Sequence, residues 1–194
     1  MPTPWKPTRA QILAAEGKTV PDVIDFDLRV LFSGINPGLY TAAVGHHFAR
    51  PGNRFWKALY EAGFTDTLLS PFDERELLKS GYGITNVVPR ATATADLLRK
   101  EEMIDGGRRL AAKVRRYRPR MLAVLGLGAY RMGFDRPKAT VGRQEEKIGD
   151  TEIWVLPNPS GLNANYQQKD LNSLFRELKQ AVDPQITQIT QIQK

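Results

Sequence analysis

Two short segments, "GINPG" at 34–38 and "NPSGLN" at 158–163, carry residue types suited to holding a small polar ligand. Each supplies an Asn amide that can donate and accept, a Pro that sets the turn, and a Gly beside which backbone N–H groups can approach a ligand. Asn36 and Gly38 bring these properties to the first segment, Asn158 and Gly161 to the second. Asn-Pro and Pro-Gly pairs are also ordinary turn formers, so either loop alone is equally well explained as a reversal of the chain. A shared chemistry requires the fold to bring the two together.

Other site chemistries find little support. The chain has no Cys, and its two His residues are adjacent at 46 and 47, which removes Cys-ligated zinc and iron–sulfur clusters and leaves too few ligands for a His-rich metal site. A catalytic metal is therefore not expected. "GLGAYRMG" (126–133) follows an apolar run, but the third Gly of a dinucleotide-binding pattern falls on Arg131, and a turn with close packing explains it better. Phosphate-loop and Ser-centred elbow motifs do not occur. The formal net charge of +7 favours a polyanionic partner, because Lys and Arg that neutralise phosphates release condensed counterions. The Arg-rich run at 108–120 reads first as a solvated helix face.

The elements that must position these loops alternate along the chain. Thr8 can cap a short helix through "RAQILAAEGK". "LRVLFSG" (28–34), "YGITNVV" (82–88), "MLAVLG" (121–126) and 153–156 read as buried strands, with "TVGRQEEKIGD" a polar excursion or edge hairpin before the last. Between them, Asn53 can cap "RFWKALYEAG", Asp73 can cap "ERELLKSG", "GGRRLAAKVRRYRP" forms a helix with Leu110, Ala111 and Val114 inward, and "KDLNSLFRELKQAV" forms the last helix. This pattern predicts a three-layer α/β/α sandwich with a mainly parallel central sheet of about four strands. In such sheets ligands gather at the carboxyl ends of the strands, where both Asn-Pro-Gly loops fall.

At 194 residues with 41% apolar composition the chain supports one core. Residues 1–24 read as an N-terminal extension with a short helix, 25–182 as the functional domain, and 183–194, ending in "QITQITQIQK", as a loosely attached polar tail. Neither a signal peptide nor a membrane-length apolar run is present, so the expected setting is intracellular, in the cytoplasm and away from membranes.

The order of "GINPGLYTAAVGHHFARPGNRFWKALYEAGF", "YGITNVVPR", "GGRRL", "RYRPRMLAVLG" and "WVLPNPSGLN" resembles the mismatch-specific uracil/thymine DNA glycosylases of the uracil-DNA glycosylase superfamily, over roughly residues 25 to 182. The resemblance implies a monomeric, cofactor-free enzyme that excises uracil, or another mismatched pyrimidine, from double-stranded DNA, preferentially opposite guanine. It implies that Asn36 holds the attacking water, that Ile35 walls the base pocket, that Phe48 stacks on the flipped base, and that Thr41 lies near C5 of the pyrimidine. Asn158 then faces the base, Leu162 is the wedge that fills the vacated stack, and Ser160, Gly161 and Asn163 contact phosphate or the widowed guanine. Where some relatives carry a basic residue two positions after the wedge, this chain has Ala164, so Lys169 or Arg90 is expected to supply phosphate contacts. Other branches of the superfamily use a carboxylate beside the water, a role open to Asp96.

On residue type alone, Phe48 is a core aromatic, Leu162 a helix-entry apolar residue and Asp96 a cap for "DLLRKEE". Two further functions stay open: a mismatch-binding module without catalysis, and an enzyme acting on free nucleotides or nucleosides in the same crevice.

Overall fold

The structure, a computed structural model, describes residues 5–184. The first four residues and most of the expected tail, 185–194, lie outside the described residues. Five strands form one sheet: β1 (Val30–Gly34), β2 (Tyr82–Asn86), β3 (Met121–Leu125), β4 (Gly142–Ile148) and β5 (Thr151–Leu156), in the order β2-β1-β3-β5-β4. All pairings are parallel except β4 with β5. The helices are α1 (Arg9–Leu13), α2 (Leu39–Val44), α3 (Phe55–Glu61), α4 (Lys100–Tyr117), α5 (Leu127–Gly133) and α6 (Gln168–Val182), with 3-10 segments at Pro71–Ser80 and Ala95–Leu97.

The three layers follow from the period of two along each strand. Val30 and Phe32 point to one side of the sheet, into a core with Phe55 and Leu59 of α3 and Leu171, Phe175 and Leu178 of α6. Leu31, with Leu122 and Val124 of β3 and Ile153 and Val155 of β5, points to the other, where Leu110 and Val114 of α4 and Tyr130 of α5 close over it. Strands buried on both faces read as unbroken apolar runs, which is why β1 and β3 were legible. The segment before β1 is also stitched to the sheet: Val23 and Ile84 exchange backbone hydrogen bonds of 2.9 and 2.7 Å.

The mainly parallel sheet is as expected, and of the two readings of the polar stretch at 142–148 the edge hairpin holds: it pairs antiparallel with β5 as a fifth, edge strand, its Arg143 reaching Glu152 at 2.6 Å. Charged side chains on such an edge discourage pairing with other chains. Two cap expectations are corrected. Asp73 does not cap a helix; it lies inside the 3-10 segment, and its carboxylate accepts from Ser70 N at 3.1 Å and Ser70 Oγ at 2.6 Å. Asp96 likewise does not cap α4, which begins four residues later with Glu102 Oε2 accepting from Arg99 N at 3.0 Å.

Candidate active site

β1 lies between β2 and β3, so the chain leaves β1 toward one side of the sheet and later returns on the other. At such a switch point the connecting loops diverge and leave a crevice at the carboxyl ends. It has a volume of about 360 Å³ and is walled by loops after β1, β2 and β5. A larger concavity of about 860 Å³ lies at the opposite, amino ends of the strands among Arg29, Arg115, Arg118 and Arg120. Arg29 is paired there with Asp183 and Arg118 with Asp27, and neither Asn-Pro-Gly loop reaches it.

The "GINPG" loop is held by an extension of the β1–β2 ladder. Val87 N donates to Gly34 O, Val88 N to Ile35 O and Thr92 N to Pro37 O, at 2.9, 2.9 and 3.2 Å. Gly34 leaves room for Asn86 at the ladder's end: a Cβ there would stand 2.5 Å from Asn86 Oδ1 and would displace that amide. Asn36 Nδ2 donates to Arg90 O at 3.0 Å and to Thr92 Oγ1 at 2.7 Å. A carbonyl accepts only, so these contacts assign the amide unambiguously. Among the described residues no donor reaches Asn36 Oδ1, and it is left as an acceptor on the crevice wall.

The "NPSGLN" loop presents the complementary group. Asn158 Oδ1 accepts from Ser160 N at 3.0 Å in an Asx turn, so its Nδ2 is the end available to a ligand. The loop is clamped from α3's entry by Arg54, whose guanidinium donates to the carbonyls of Pro159, Ser160, Asn163 and Tyr166. At Gly161 a Cβ would lie 2.7 Å from Gly52 O, so only glycine lets the two turns touch. Leu162 stands at the tip, 65% exposed, packed into no core.

Of the residues singled out in the sequence, Ile35, Asn36, Gly38, Thr41, Phe48, Asp96, Asn158, Ser160, Leu162 and Asn163 all line this crevice. Gly161 sits behind it against Gly52. Arg90 and Lys169 do not line it. Arg90 is engaged through Nε and Nη2 with both oxygens of Glu102, the latter at 2.9 Å, and the guanidinium holds the Glu102 carboxyl down to about 2. Phe48 adopts φ 53°, uncommon for a residue with a side chain, and stacks on Phe55 with centroids 4.1 Å apart. It is half-buried, between core aromatic and crevice wall.

Sequence reasoning missed Asn86, His47, Thr92, Arg50 and Asn53 on the same walls. Asn86 was readable in principle as a polar residue ending an apolar strand. His47 is 1% exposed and donates through Nε2 to Pro21 O at 2.9 Å, which leaves Nδ1 as an acceptor 3.5 Å from Asn86 Nδ2. Burial lowers the His47 pKa, outweighing the opposing pull of Glu74, so the ring is neutral near pH 7. Among the described residues no group of three or more His, Asp or Glu side chains gathers as metal ligands would.

A mainly parallel α/β/α sheet thus presents an Asn acceptor, an Asn donor and an exposed apolar tip around one crevice. Comparison with known families resolves the class. Residues 21–181 match the uracil DNA glycosylase superfamily, and the chain belongs to that superfamily of DNA glycosylases. The fold is also that of a Methanosarcina acetivorans protein, provisionally described as a uracil DNA glycosylase and solved by solution NMR. The likeness has a TM-score of 0.56 at 20% identity and covers 84% of this chain and 98% of that one.

Proposed function

We propose that this chain is a mismatch-specific glycosylase that flips uracil out of duplex DNA, above all opposite guanine, and hydrolyses its N-glycosidic bond to leave an abasic site. The observation that carries it is the presence of Asn36 and Leu162 on one crevice although they come from opposite ends of the chain. Extruding a base from the stack costs a few kcal/mol, least at a weakened mismatch. Leu162 offsets that cost by occupying the gap in the helix. Phe48 offsets more by stacking on the extruded ring, a contact of about 1–3 kcal/mol on aromatic platforms.

Bond cleavage sends the electron pair to N1 of uracil and leaves positive character at C1′ of the sugar. Asn158 Nδ2 donates toward a base oxygen, where negative charge grows. Asn36 Oδ1 accepts a hydrogen from a water and aims its oxygen at C1′; an amide orients the water without deprotonating it. Asp96, an exposed carboxylate on the crevice rim, stabilises the cationic sugar and takes the proton as the water oxygen bonds C1′. Ile35, Gly38 and buried Thr41 shape the base pocket, with Thr41 set against a 5-methyl group. Ser160, Gly161 and Asn163 contact the strand around the wedge, and Lys169 on the first turn of α6 contacts phosphate. The chain acts as a monomer. Arg90, through its ion pair with Glu102, steadies the carbonyl that orients Asn36.

The test is a labelled duplex with one uracil opposite guanine, treated with alkali after incubation, beside duplexes with uracil opposite adenine and thymine opposite guanine. Strand scission strongest for uracil opposite guanine is expected, with Asn36→Ala and Asp96→Ala both slowed. Binding without scission by the natural chain would mark a non-catalytic mismatch binder. An unimpaired Asp96→Ala removes that residue from the chemistry and leaves Asn36.

A further inference from the structure

We infer that Arg50 is a DNA phosphate-binding residue that supplies, from a neighbouring turn, the positive charge the wedge loop lacks. The inference rests on the glycosylase reading for its choice of polyanion, but its evidence is the geometry of two abutting turns.

From Asn158 to Gln168 the wedge loop contains no Lys or Arg, and position 164 is Ala. A loop that enters a duplex without a cation brings no compensation for the phosphates on either side of it. Arg54 and Arg50 lie beside it, and Arg54 is already committed to four loop carbonyls. Arg50 lines the same crevice as Leu162 and Asn163 and is exposed. Among the described residues its guanidinium has no hydrogen-bond or ion-pair partner.

Its backbone, by contrast, is well fixed. Asn53 N donates to Arg50 O at 3.0 Å, closing the turn Arg50-Pro51-Gly52-Asn53, and Pro51 restricts the chain within it. Gly52 O packs directly on Gly161, and Arg54 N donates to Pro159 O at 3.0 Å. The 50–54 turn and the 158–163 loop therefore form one platform, with Leu162 and Arg50 as its two free side chains. An exposed guanidinium so placed matches the geometry of a phosphodiester, which it can grip with two parallel hydrogen bonds. Asp96 on the rim repels phosphate, which restricts the anion to the Arg50 side of the mouth.

The experiment measures duplex binding by fluorescence anisotropy between about 50 and about 200 mM salt, a range over which phosphate contacts dominate the change in affinity. The chains are the natural one, Arg50→Ala and Arg50→Lys, on duplexes with 2′-fluoro-2′-deoxyuridine, whose N-glycosidic bond resists cleavage, opposite guanine and opposite adenine. Arg50→Ala is expected to weaken binding several-fold, by the same factor for both duplexes, and to reduce the slope of log K against log salt by about 1. Arg50→Lys is expected to restore that slope. An unchanged slope overturns the inference, and so does a loss confined to the guanine duplex, which would make Arg50 a base reader. Because binding is read without catalysis, the outcome is independent of strand scission: a chain that binds through Arg50 but makes no abasic site refutes the proposed activity alone.

Discussion

Asn36 Nδ2 donates to Thr92 Oγ1 at 2.7 Å, and Thr92 in turn donates to Thr94 O at 2.8 Å. The threonine hydroxyl is thereby oriented with its lone pair toward the amide, and the amide with its oxygen toward the crevice. Thr92→Val keeps the shape and removes the acceptor. Loss of one such bond is worth about 1 kcal/mol, or about fivefold. Single-turnover excision of uracil should slow by about that factor in Thr92→Val and recover in Thr92→Ser, and urea unfolding should show Thr92→Val less stable by about 1 kcal/mol.

Leu162 is the largest apolar side chain at the crevice that no core claims. Truncation at an exposed site changes stability by no more than about 0.5 kcal/mol. Leu162→Ala should melt with the natural chain yet extrude the target base poorly. A 2-aminopurine reporter beside the uracil would show a reduced fluorescence rise on mixing. A normal rise would remove the wedge role.

Arg54 holds the loop that carries Leu162 through backbone carbonyls, so any effect of it on DNA should pass through that loop. Charge-assisted hydrogen bonds are worth about 1.5–3 kcal/mol, and Arg54→Ala should destabilise by about that amount in urea unfolding. Amides of 160–165 should exchange with deuterium faster while those of β1 and β3 do not. Arg54→Lys should recover little, because an ammonium cannot spread donors over four carbonyls. Unaltered exchange in the loop would show that the clamp is dispensable.

His47 gives a pH dependence whose sign is fixed by burial. Its folded pKa lies below the ordinary value of 6.5, so the unfolded chain binds the proton more readily. The stability it protects is fully present above about 6.5 and is lost as pH falls from there toward the folded pKa. Glu74, Asp22 and His46 face the ring and modulate the slope. Urea unfolding from neutral pH downward should show this loss in the natural chain and a flatter curve in His47→Gln. Equal slopes would place the titration elsewhere.

Glu102 adds a second, lower window. Its pKa, held to about 2 by Arg90, means that the ion pair persists until pH falls below the ordinary carboxylate range of about 4.5. Glu102→Gln should therefore slow excision at neutral pH, by loosening the Arg90 carbonyl that orients Asn36, while the natural chain keeps its rate down to mildly acidic pH. Equal rates for the two chains at neutral pH would refute that coupling.

Much of the scaffold was readable from residue order. Unbroken apolar runs identified β1 and β3, helical spacing identified α3, α4 and α6, and two Asn-Pro-Gly turns marked the strand ends that carry the crevice. These are properties of neighbours along the chain, and neighbours are what a sequence specifies directly. The polar strand β4 was left between an excursion and an edge hairpin because its pairing with β5, not its own composition, makes it a strand. The orientation of Asn36 comes from residues 54 and 56 positions away, the neutral state of His47 from the burial that the fold imposes against the pull of Glu74, and the commitment of Arg54 from carbonyls more than a hundred residues on. A hydrogen bond depends on direction and separation in space, so which end of an amide faces a ligand and which cation stays unpaired were decided only when the folded chain brought those partners together.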